Sequence, residues 1–237
     1  MTKKELLESI HGKMIISCQA LKGEPLYVEE KSVMYLMARA AKQAGTPMIR
    51  TSSVRDVIAI KEETGLPVIG LLKIVYEGYD AYITPTMKEV DALVEAGADI
   101  VALDCTLRRR GDGTTINEYI AAIKEKYPDI ILMADISNYE EGVNAARCGV
   151  DLVGTTMSGY TPYTAGKDEP DYELMRRLAG NLDIPVIGEG KIHSPEDAVK
   201  ALETGVWAIV VGGAITRPLE IARRFMDAIG RMERKNV

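Results

Sequence analysis

Residues 185–205 read PVIGEGKIHSPEDAVKALETG, and this stretch contains one complete strand-and-helix unit. It opens with a short apolar run, which is typical of a strand buried in a parallel sheet. Ser194 and Pro195 have the residue types of an N-cap and a first helical position, and acidic residues follow in the first turn. Gly205 comes after the helix-like residues, where a left-handed helix end favours glycine. The stretch therefore predicts a strand, a loop, a helix and a helix stop.

The same unit recurs along the whole chain. Apolar runs predict eight strands, at 14–19, 46–51, 68–73, 99–105, 131–136, 152–157, 185–190 and 208–214. Amphipathic stretches predict eight helices, at 32–44, 53–64, 87–96, 116–126, 139–148, 171–181, 195–204 and 218–233. Eight near-equal units favour a closed α/β barrel over an open doubly wound sheet. We therefore expect residues 1–237 to form a single (β/α)8 TIM-barrel domain.

Composition restricts the function classes. The chain of 237 residues is 46% hydrophobic and 27% charged, as expected of a soluble globular protein. Its net charge of −6 argues against general binding to nucleic acid or to an anionic membrane. No apolar run reaches the roughly 18 residues of a membrane span, and the N-terminus resembles an amphipathic helix start rather than a signal peptide. Three cysteines without metal-like spacing fit a reducing cytoplasm.

Four charged residues of both signs stand at the ends of four predicted strands: Arg50, Lys73, Asp135 and Glu189. A charge at the end of a buried strand costs free energy unless it is paired, solvated or functional. Active sites of (β/α)8 barrels lie on the face where the strands end. We therefore predict an enzyme with one polar site assembled from distant parts of the chain. Further polar residues fall on the same face: Gln19, Asp104, Thr106, Thr155 and Thr156.

Lys73 and Glu189 each allow more than one role. Apolar residues and a glycine precede Lys73, so its stem is expected inside, and a desolvated amine can act as a base near neutral pH. A strand-end lysine reaching solvent, or a Schiff-base lysine, fits the same position. Glu189 could enter the same central space, or it could form an ion pair with Arg50 or Lys73. A carboxylate there would keep the lysine protonated and oppose desolvation.

Two glycine-containing loops predict a phosphate site. Gly212 and Gly213 follow the eighth strand, and such glycines let backbone N–H groups approach an anion at the start of a helix. Gly190 and Lys191 supply the matching loop after the seventh strand, and phosphate sites in these barrels commonly use both loops. Arg217 adds a charged fork. The alternative is a tight turn with a solvated arginine.

One long loop follows the sixth strand. Residues 158–170 include Tyr160 and are more numerous than usual between a strand and its helix. We predict a lid or substrate loop here.

Six segments together resemble one family: SCQAL at 17–21, YITPTM at 82–87, MADIS at 133–137, TTMSGYTPY at 155–163, GEGKI at 188–192 and VGGAITRP at 211–218. The resemblance is to the N-acetylmannosamine-6-phosphate 2-epimerase (NanE-type) family, and it covers roughly residues 12–230. The chain departs from the family pattern at three places. Ile74 stands where a basic residue is common, Lys191 where arginine is common, and residues 108–114 lack the usual proline-containing pattern.

The resemblance implies a function. The family interconverts N-acetylmannosamine 6-phosphate and N-acetylglucosamine 6-phosphate in sialic-acid breakdown. It implies that Lys73 removes and returns the C2 proton and that Glu189 orients and tunes this lysine. It further implies that Asp135 assists ring opening and that Arg50 polarises the carbonyl oxygen.

The resemblance also implies how the substrate, a phosphorylated N-acetylamino sugar, is held. Substrate-binding residues would be Gln19, Thr155, Thr156 and Tyr160. Phosphate-binding residues would be Gly190, Lys191, Gly212, Gly213 and Arg217. No metal or cofactor is implied, and a cytoplasmic homodimer is expected. The residues themselves leave two other classes open: a lyase or aldolase that uses Lys73 as a Schiff base, and a non-catalytic phosphosugar-binding barrel.

Overall fold

The computed structural model describes residues 1–166 and 168–235, with side chains described as far as Met232. Lys167, which lies in the predicted lid loop, and residues 236 and 237 are outside the described part. Eight parallel strands form a closed barrel in chain order, and the last strand pairs with the first. The predicted (β/α)8 barrel is therefore confirmed. No helix in the described ranges is long and apolar enough to cross a membrane.

The strands are β1 Met14–Ser17, β2 Ile49–Ser52, β3 Val68–Leu71, β4 Ile100–Asp104, β5 Ile131–Asp135, β6 Leu152–Gly154, β7 Val186–Glu189 and β8 Ala208–Val211. The helices are α1 Lys3–Ser9, α2 Met34–Gln43, α3 Val54–Thr64, α4 Met87–Glu95, α5 Ile116–Lys126, α6 Tyr139–Arg147, α7 Tyr172–Ala179, α8 Pro195–Leu202 and α9 Pro218–Lys235.

All sixteen predicted elements exist and have the predicted type, but all eight strands are shorter than predicted. The prediction that β3 extends to Lys73 is wrong, because the strand ends at Leu71. The prediction that β6 extends to residue 157 is also wrong, because that strand ends at Gly154. In both cases the chain leaves the barrel wall before the end of the predicted strand. These residues therefore belong to the loops that build the site.

The helix ends follow the local chemistry of the sequence. The Ser194 side chain accepts a hydrogen bond from the Asp197 backbone N–H, and the Asp197 carboxylate accepts one from the Ser194 backbone N–H. Thr86 and Glu89 form the same kind of capping box at α4. Positive φ angles occur after five helices, at Gly45, Gly65, Gly97, Gly149 and Gly205. Their conformation is the left-handed one in which glycine carries little strain.

The core has two layers, and α1 closes one end of the barrel. Strand residues pointing inward pack with Leu6 and Ile10, which are buried beneath the amino ends of the strands. Trp207 helps to hold α1 there, since its Nε1 donates to the Leu7 carbonyl at 2.8 Å. A second, larger cluster lies between strands and outer helices. The barrel is thus filled and covered at one end, which leaves the carboxyl ends of the strands for a site.

Candidate active site

A cavity of about 190 Å³ opens at the carboxyl ends of the strands. Eleven of the thirteen predicted site residues line it: Gln19, Arg50, Lys73, Thr156, Tyr160, Glu189, Gly190, Lys191, Gly212, Gly213 and Arg217. These residues come from loops and strand ends spread over almost the whole sequence. Closure of the barrel therefore brings together side chains that are far apart in the sequence.

Arg50 is the buried cation of the cavity floor. Its side chain is 1% exposed, and its Nη2 donates to Asp135 Oδ2 at 2.6 Å. Its Nε lies 3.4 Å from Glu189 Oε1. Burial by itself lowers the pKa of Arg50, but Asp135 and Glu189 raise it above the ordinary value, so the guanidinium stays charged. Arg50 is therefore a fixed positive group in the cavity lining, held by two carboxylates.

Glu189 is poised to change its protonation state near neutral pH. Burial raises its pKa to about 7, and Arg50 opposes that rise. Thr156 Oγ1 lies 2.6 Å from Asp135 Oδ1 and 3.1 Å from Glu189 Oε2. A hydroxyl has one proton and can donate to only one carboxylate at a time. The shorter contact goes to Asp135, so Glu189 has the weaker of the two hydrogen bonds.

Lys73 is positioned by residues 82–84, which pair with the chain just beyond the end of β3. Lys73 and Ile83 form an isolated antiparallel bridge, and the Ile74 N–H donates to the Tyr82 carbonyl at 3.0 Å. The Thr84 N–H donates to the Leu72 carbonyl at 2.6 Å. Lys73 therefore stands on a two-stranded extension of β3 rather than on β3 itself.

The Lys73 amine is a candidate base. Its pKa is lowered by burial first, and then by the positive charges of Arg50 and Arg217. Glu189 and Asp135 act in the opposite direction without reversing the shift. A lysine with a lowered pKa is partly neutral at a pH where an exposed lysine is fully charged, and a neutral amine can accept a proton. The two opposing effects expected from the sequence are both present, and the lowering of the Lys73 pKa by burial exceeds its rise from the carboxylates.

The two glycine-containing loops lie side by side at one end of the cavity. Gly190 and Lys191 have consecutive positive φ values, 107° and 57°, which is unusual for a lysine. The Lys191 Nζ lies 5.3 Å from the centre of the Tyr160 ring, which is a cation–π distance. The β8 loop carries Gly212 and Gly213, and Thr216 Oγ1 ties this loop to β1 by donating to the Ser17 carbonyl at 2.7 Å. This end of the cavity combines two glycine-containing loops with the cations Lys191 and Arg217, which are the features that an anion site uses.

Two predicted site residues lie outside the cavity lining. Thr155 is fully buried, and its hydroxyl donates to the Glu189 carbonyl and accepts from the Glu189 N–H. It therefore supports the end of β7 from behind, instead of reaching the cavity as the sequence led us to expect. Asp135 is also fully buried and contacts the cavity through Arg50 and Thr156.

Asp104 and two of the three consecutive arginines at 108–110 form contacts within the protein. Asp104 accepts from the Thr106 hydroxyl and from Arg108 Nη2, at 2.6 and 2.5 Å. Arg110 is buried against the Tyr119 ring and donates to the Pro85 carbonyl. These contacts favour a structural hydrogen-bonding role for Asp104 over a catalytic one. Among the described residues, no three His, Cys, Asp or Glu side chains are grouped as a metal site would require.

Sequence reasoning missed several residues that line the cavity, including Ser17, Tyr82, Thr216 and Glu220. Tyr82 opens the YITPT segment, and Thr216 lies inside the β8 loop motif, so both stood within recognised segments. Glu220 could not be predicted as a site residue, because acidic residues are common in the first turn of helices.

Fold and site together define a class of protein. It is a (β/α)8 barrel with a desolvated lysine, a buried arginine held by two carboxylates, and a pair of loops suited to an anionic group. Such a constellation is typical of enzymes that transfer protons on small phosphorylated substrates.

Comparisons with known proteins give the family. A model of the NanE family, described as "Putative N-acetylmannosamine-6-phosphate epimerase", matches residues 34–231. A protein of Caldanaerobacter subterraneus subsp. tengcongensis, described as "Putative N-acetylmannosamine-6-phosphate 2-epimerase", is 52% identical over 233 residues, which are 98% of each chain. A Clostridioides difficile protein with the same description is 50% identical over 94% of this chain and 99% of its own.

The solved structure of the N-acetylmannosamine-6-phosphate 2-epimerase from Clostridium perfringens is similar as well. It has a TM-score of 0.89 and 46% identity, and the match covers 94% of this chain and 96% of that one. The chain belongs to the N-acetylmannosamine-6-phosphate epimerase (NanE) family.

Proposed function

We propose that this chain interconverts N-acetylmannosamine 6-phosphate and N-acetylglucosamine 6-phosphate by removing and returning the proton at C2. One observation carries the proposal beyond family membership: an amine with a lowered pKa, Lys73, shares a cavity with the buried cation Arg50. In the open-chain sugar, C2 is next to the aldehyde, so its proton becomes removable when negative charge on the aldehyde oxygen is stabilised.

Each charged residue has a role in this scheme. Lys73 takes the C2 proton as general base and delivers it as general acid. Arg50 stabilises the oxygen charge that develops, and it costs no reorganisation because Asp135 already holds it at 2.6 Å. Glu189 tunes Lys73 through its charge, since its carboxylate raises the pKa of that lysine.

Asp135 could take part in ring opening only through another residue, because it does not line the cavity. The proposed substrate is a cyclic sugar that must open before the C2 proton is acidic, and opening moves a proton between two oxygens. Asp135 is fully buried, but the Thr156 hydroxyl lines the cavity and donates to Asp135 at 2.6 Å. We assign the proton relay of ring opening to this pair, with Thr156 as the group that contacts the sugar.

The remaining residues hold the substrate. Gly190, Lys191, Gly212, Gly213 and Arg217 would bind the phosphate, and Gln19 and Tyr160 would contact the sugar. Gln19 is suited to this, because its Nε2 donates to Ser17 while its buried Oε1 has no partner within the described part of the chain. An amide oxygen in this position can accept from a sugar hydroxyl or acetamido N–H.

The test is proton NMR of N-acetylmannosamine 6-phosphate with the purified protein in deuterated water. We expect N-acetylglucosamine 6-phosphate with deuterium at C2. Lys73→Ala should abolish both product and exchange, whereas Lys88→Ala, at an exposed position on α4, should leave them intact. Absence of turnover by the folded wild-type protein would rule out the proposed activity.

The lowered pKa of Lys73 also suits a Schiff-base lyase or aldolase. Borohydride reduction in the presence of substrate separates the two functions. Proton transfer leaves no covalent adduct, whereas a Schiff base would be trapped at Lys73 and detected by mass spectrometry.

We further propose that the protein acts in amino-sugar and sialic-acid catabolism, that it is cytoplasmic, and that it is a homodimer. Its three cysteines are free thiols, which fits a reducing compartment.

A further inference from the structure

Arg217, the arginine proposed to bind phosphate, is in contact with two carboxylates of the protein itself. Its Nη1 lies 3.1 Å from Glu220 Oε1, and its Nη2 lies 3.2 Å from Glu24 Oε1. Each terminal nitrogen of Arg217 is thus in contact with one carboxylate, and the negative charges of these two groups oppose the approach of a phosphate to the guanidinium. A phosphate must therefore displace a carboxylate or share the guanidinium with it.

The two carboxylates occupy different positions. Glu24 belongs to the loop after β1, where its second oxygen accepts from the Leu21 N–H at 2.8 Å, and it does not line the active-site cavity. Glu220 comes from the first turn of α9 and does line that cavity. Glu220 therefore borders the space that the proposed substrate would occupy.

Glu220 also lies against the glycine loop. A Cβ atom added to Gly213 would stand 2.5 Å from Glu220 Oε2, so this oxygen packs directly on the bare backbone of the loop. One carboxylate oxygen thus contacts the arginine while the other contacts the glycine. These are the two features that the proposed site would offer to a phosphate.

We propose that Glu220 is a specificity-determining residue that competes with anionic ligands for Arg217 and the Gly213 loop. This inference rests on the proposed phosphate site. A sugar phosphate displaces the carboxylate because its sugar also contacts the residues around Lys73 and Arg50. Inorganic phosphate lacks those contacts, so nothing offsets the free-energy cost of displacing the Glu220 carboxylate. Glu220 therefore weakens the binding of free phosphate more than that of the sugar phosphate.

The test is Glu220→Gln, which removes the charge and keeps the size of the side chain. We expect inorganic phosphate to bind about tenfold more tightly, because a like charge within contact distance of the anion is gone. Calorimetry measures this binding without reference to turnover. Where turnover is measured, the KM for N-acetylmannosamine 6-phosphate should fall, and the change in KM should exceed that in kcat.

Asp227→Asn is the matched control, since it removes the same charge from an exposed position of α9 away from the cavity. We expect its phosphate affinity to equal that of the wild type. A tenfold gain in both variants would indicate general charge steering and overturn the proposal. Weaker phosphate binding in Glu220→Gln would also overturn it, because Glu220 would then position Arg217 rather than compete with its ligand.

Phosphate binding to neither wild type nor variant would refute the anion site itself, whereas phosphate binding without epimerisation would refute only the proposed activity.

Discussion

Glu189 and Lys73 are two partly buried groups whose pKa values are shifted in opposite directions. Burial raises the pKa of the carboxyl to about 7 and lowers that of the amine. Each shift brings a group closer to the working pH, which is the condition for efficient general acid–base catalysis. Their mutual attraction works against both shifts, so each residue controls the titration of the other.

Removal of the Glu189 charge should therefore shift the pH–rate profile in a known direction. The carboxylate raises the pKa of Lys73, so Glu189→Gln should lower that pKa further. The active form of a base is the deprotonated one, so the acid limb of kcat/KM should move to lower pH. The profile is measured with N-acetylmannosamine 6-phosphate from pH 5 to 9, with exposed Glu196→Gln on α8 as control. A limb that moves to higher pH would contradict this account of Lys73.

Asp135 should matter for stability as well as for ring opening. It is fully buried and pairs with the equally buried Arg50. Without the Asp135 charge, Arg50 keeps only Glu189 as a nearby carboxylate, 3.4 Å from its Nε. Removal of one partner from a buried ion pair typically costs about 3–5 kcal/mol. We expect Asp135→Asn to lower the free energy of unfolding by that order, measured by urea denaturation. Asp91→Asn breaks an exposed pair with Lys126 and should cost below about 1 kcal/mol. Equal losses in the two variants would show that Asp135 contributes no buried pairing.

The charges of the site could be predicted from sequence, and an ion pair between Glu189 and Arg50 was one of the alternatives, but the pair between Arg50 and Asp135 was not predicted. A charge that ends an apolar run signals the strand-end face, and this rule identified Arg50 and Asp135. Their pairing joins residues that are 85 positions apart and depends on barrel closure. Thr155 and Thr156 show the same limit. Adjacent residues point in different directions, and the sequence does not specify which one faces the cavity.

At the scale of elements, the segment from Tyr82 to Pro85 is the least predictable part of the site. It continues β3 beyond its end, and Thr84 adopts a left-handed φ of 47°, which is rare for a β-branched residue. Sequence patterns assign such angles to glycine or asparagine, so this geometry had no signal. The helix caps and glycine stops were predictable because their chemistry is local.

Tyr119 should act on Lys73 through this segment. Its hydroxyl, on α5, donates to the Thr84 carbonyl at 2.9 Å and so holds the strand that pairs with residues 72–74. Tyr119→Phe removes that hydrogen bond and should cost about 1 kcal/mol of stability. We also expect kcat to fall several-fold and the pH profile to shift, since Lys73 loses its fixed position.

Tyr172→Phe is the control for this prediction. Its hydroxyl donates to Asp197 at 2.9 Å on the opposite part of the helix layer, away from Lys73. It should have a comparable effect on stability with no change in the pH profile. A Tyr119→Phe enzyme with an unaltered profile would indicate that the hydroxyl serves stability alone.

At the scale of the whole molecule, α9 differs from the other helices because its apolar residues face outward. Phe225, Met226, Ile229 and Met232 are between 55% and 69% exposed, and their spacing places them along one side of the helix. An apolar stripe of this size is unfavourable in water and usually marks an interaction surface. A second copy of this chain would cover it, because two identical stripes can pack together about a two-fold axis.

We therefore expect a homodimer whose stability depends on this stripe. Phe225→Glu places a charge at its middle, where association would bury an unpaired carboxylate at high cost. Analytical ultracentrifugation should show wild-type protein as a dimer and Phe225→Glu as a monomer at the same micromolar concentration. Asp227→Lys, a charge change on the same helix outside the stripe, should remain dimeric. A dimeric Phe225→Glu variant would place the interface elsewhere, and a monomeric wild type would leave the stripe to a different partner.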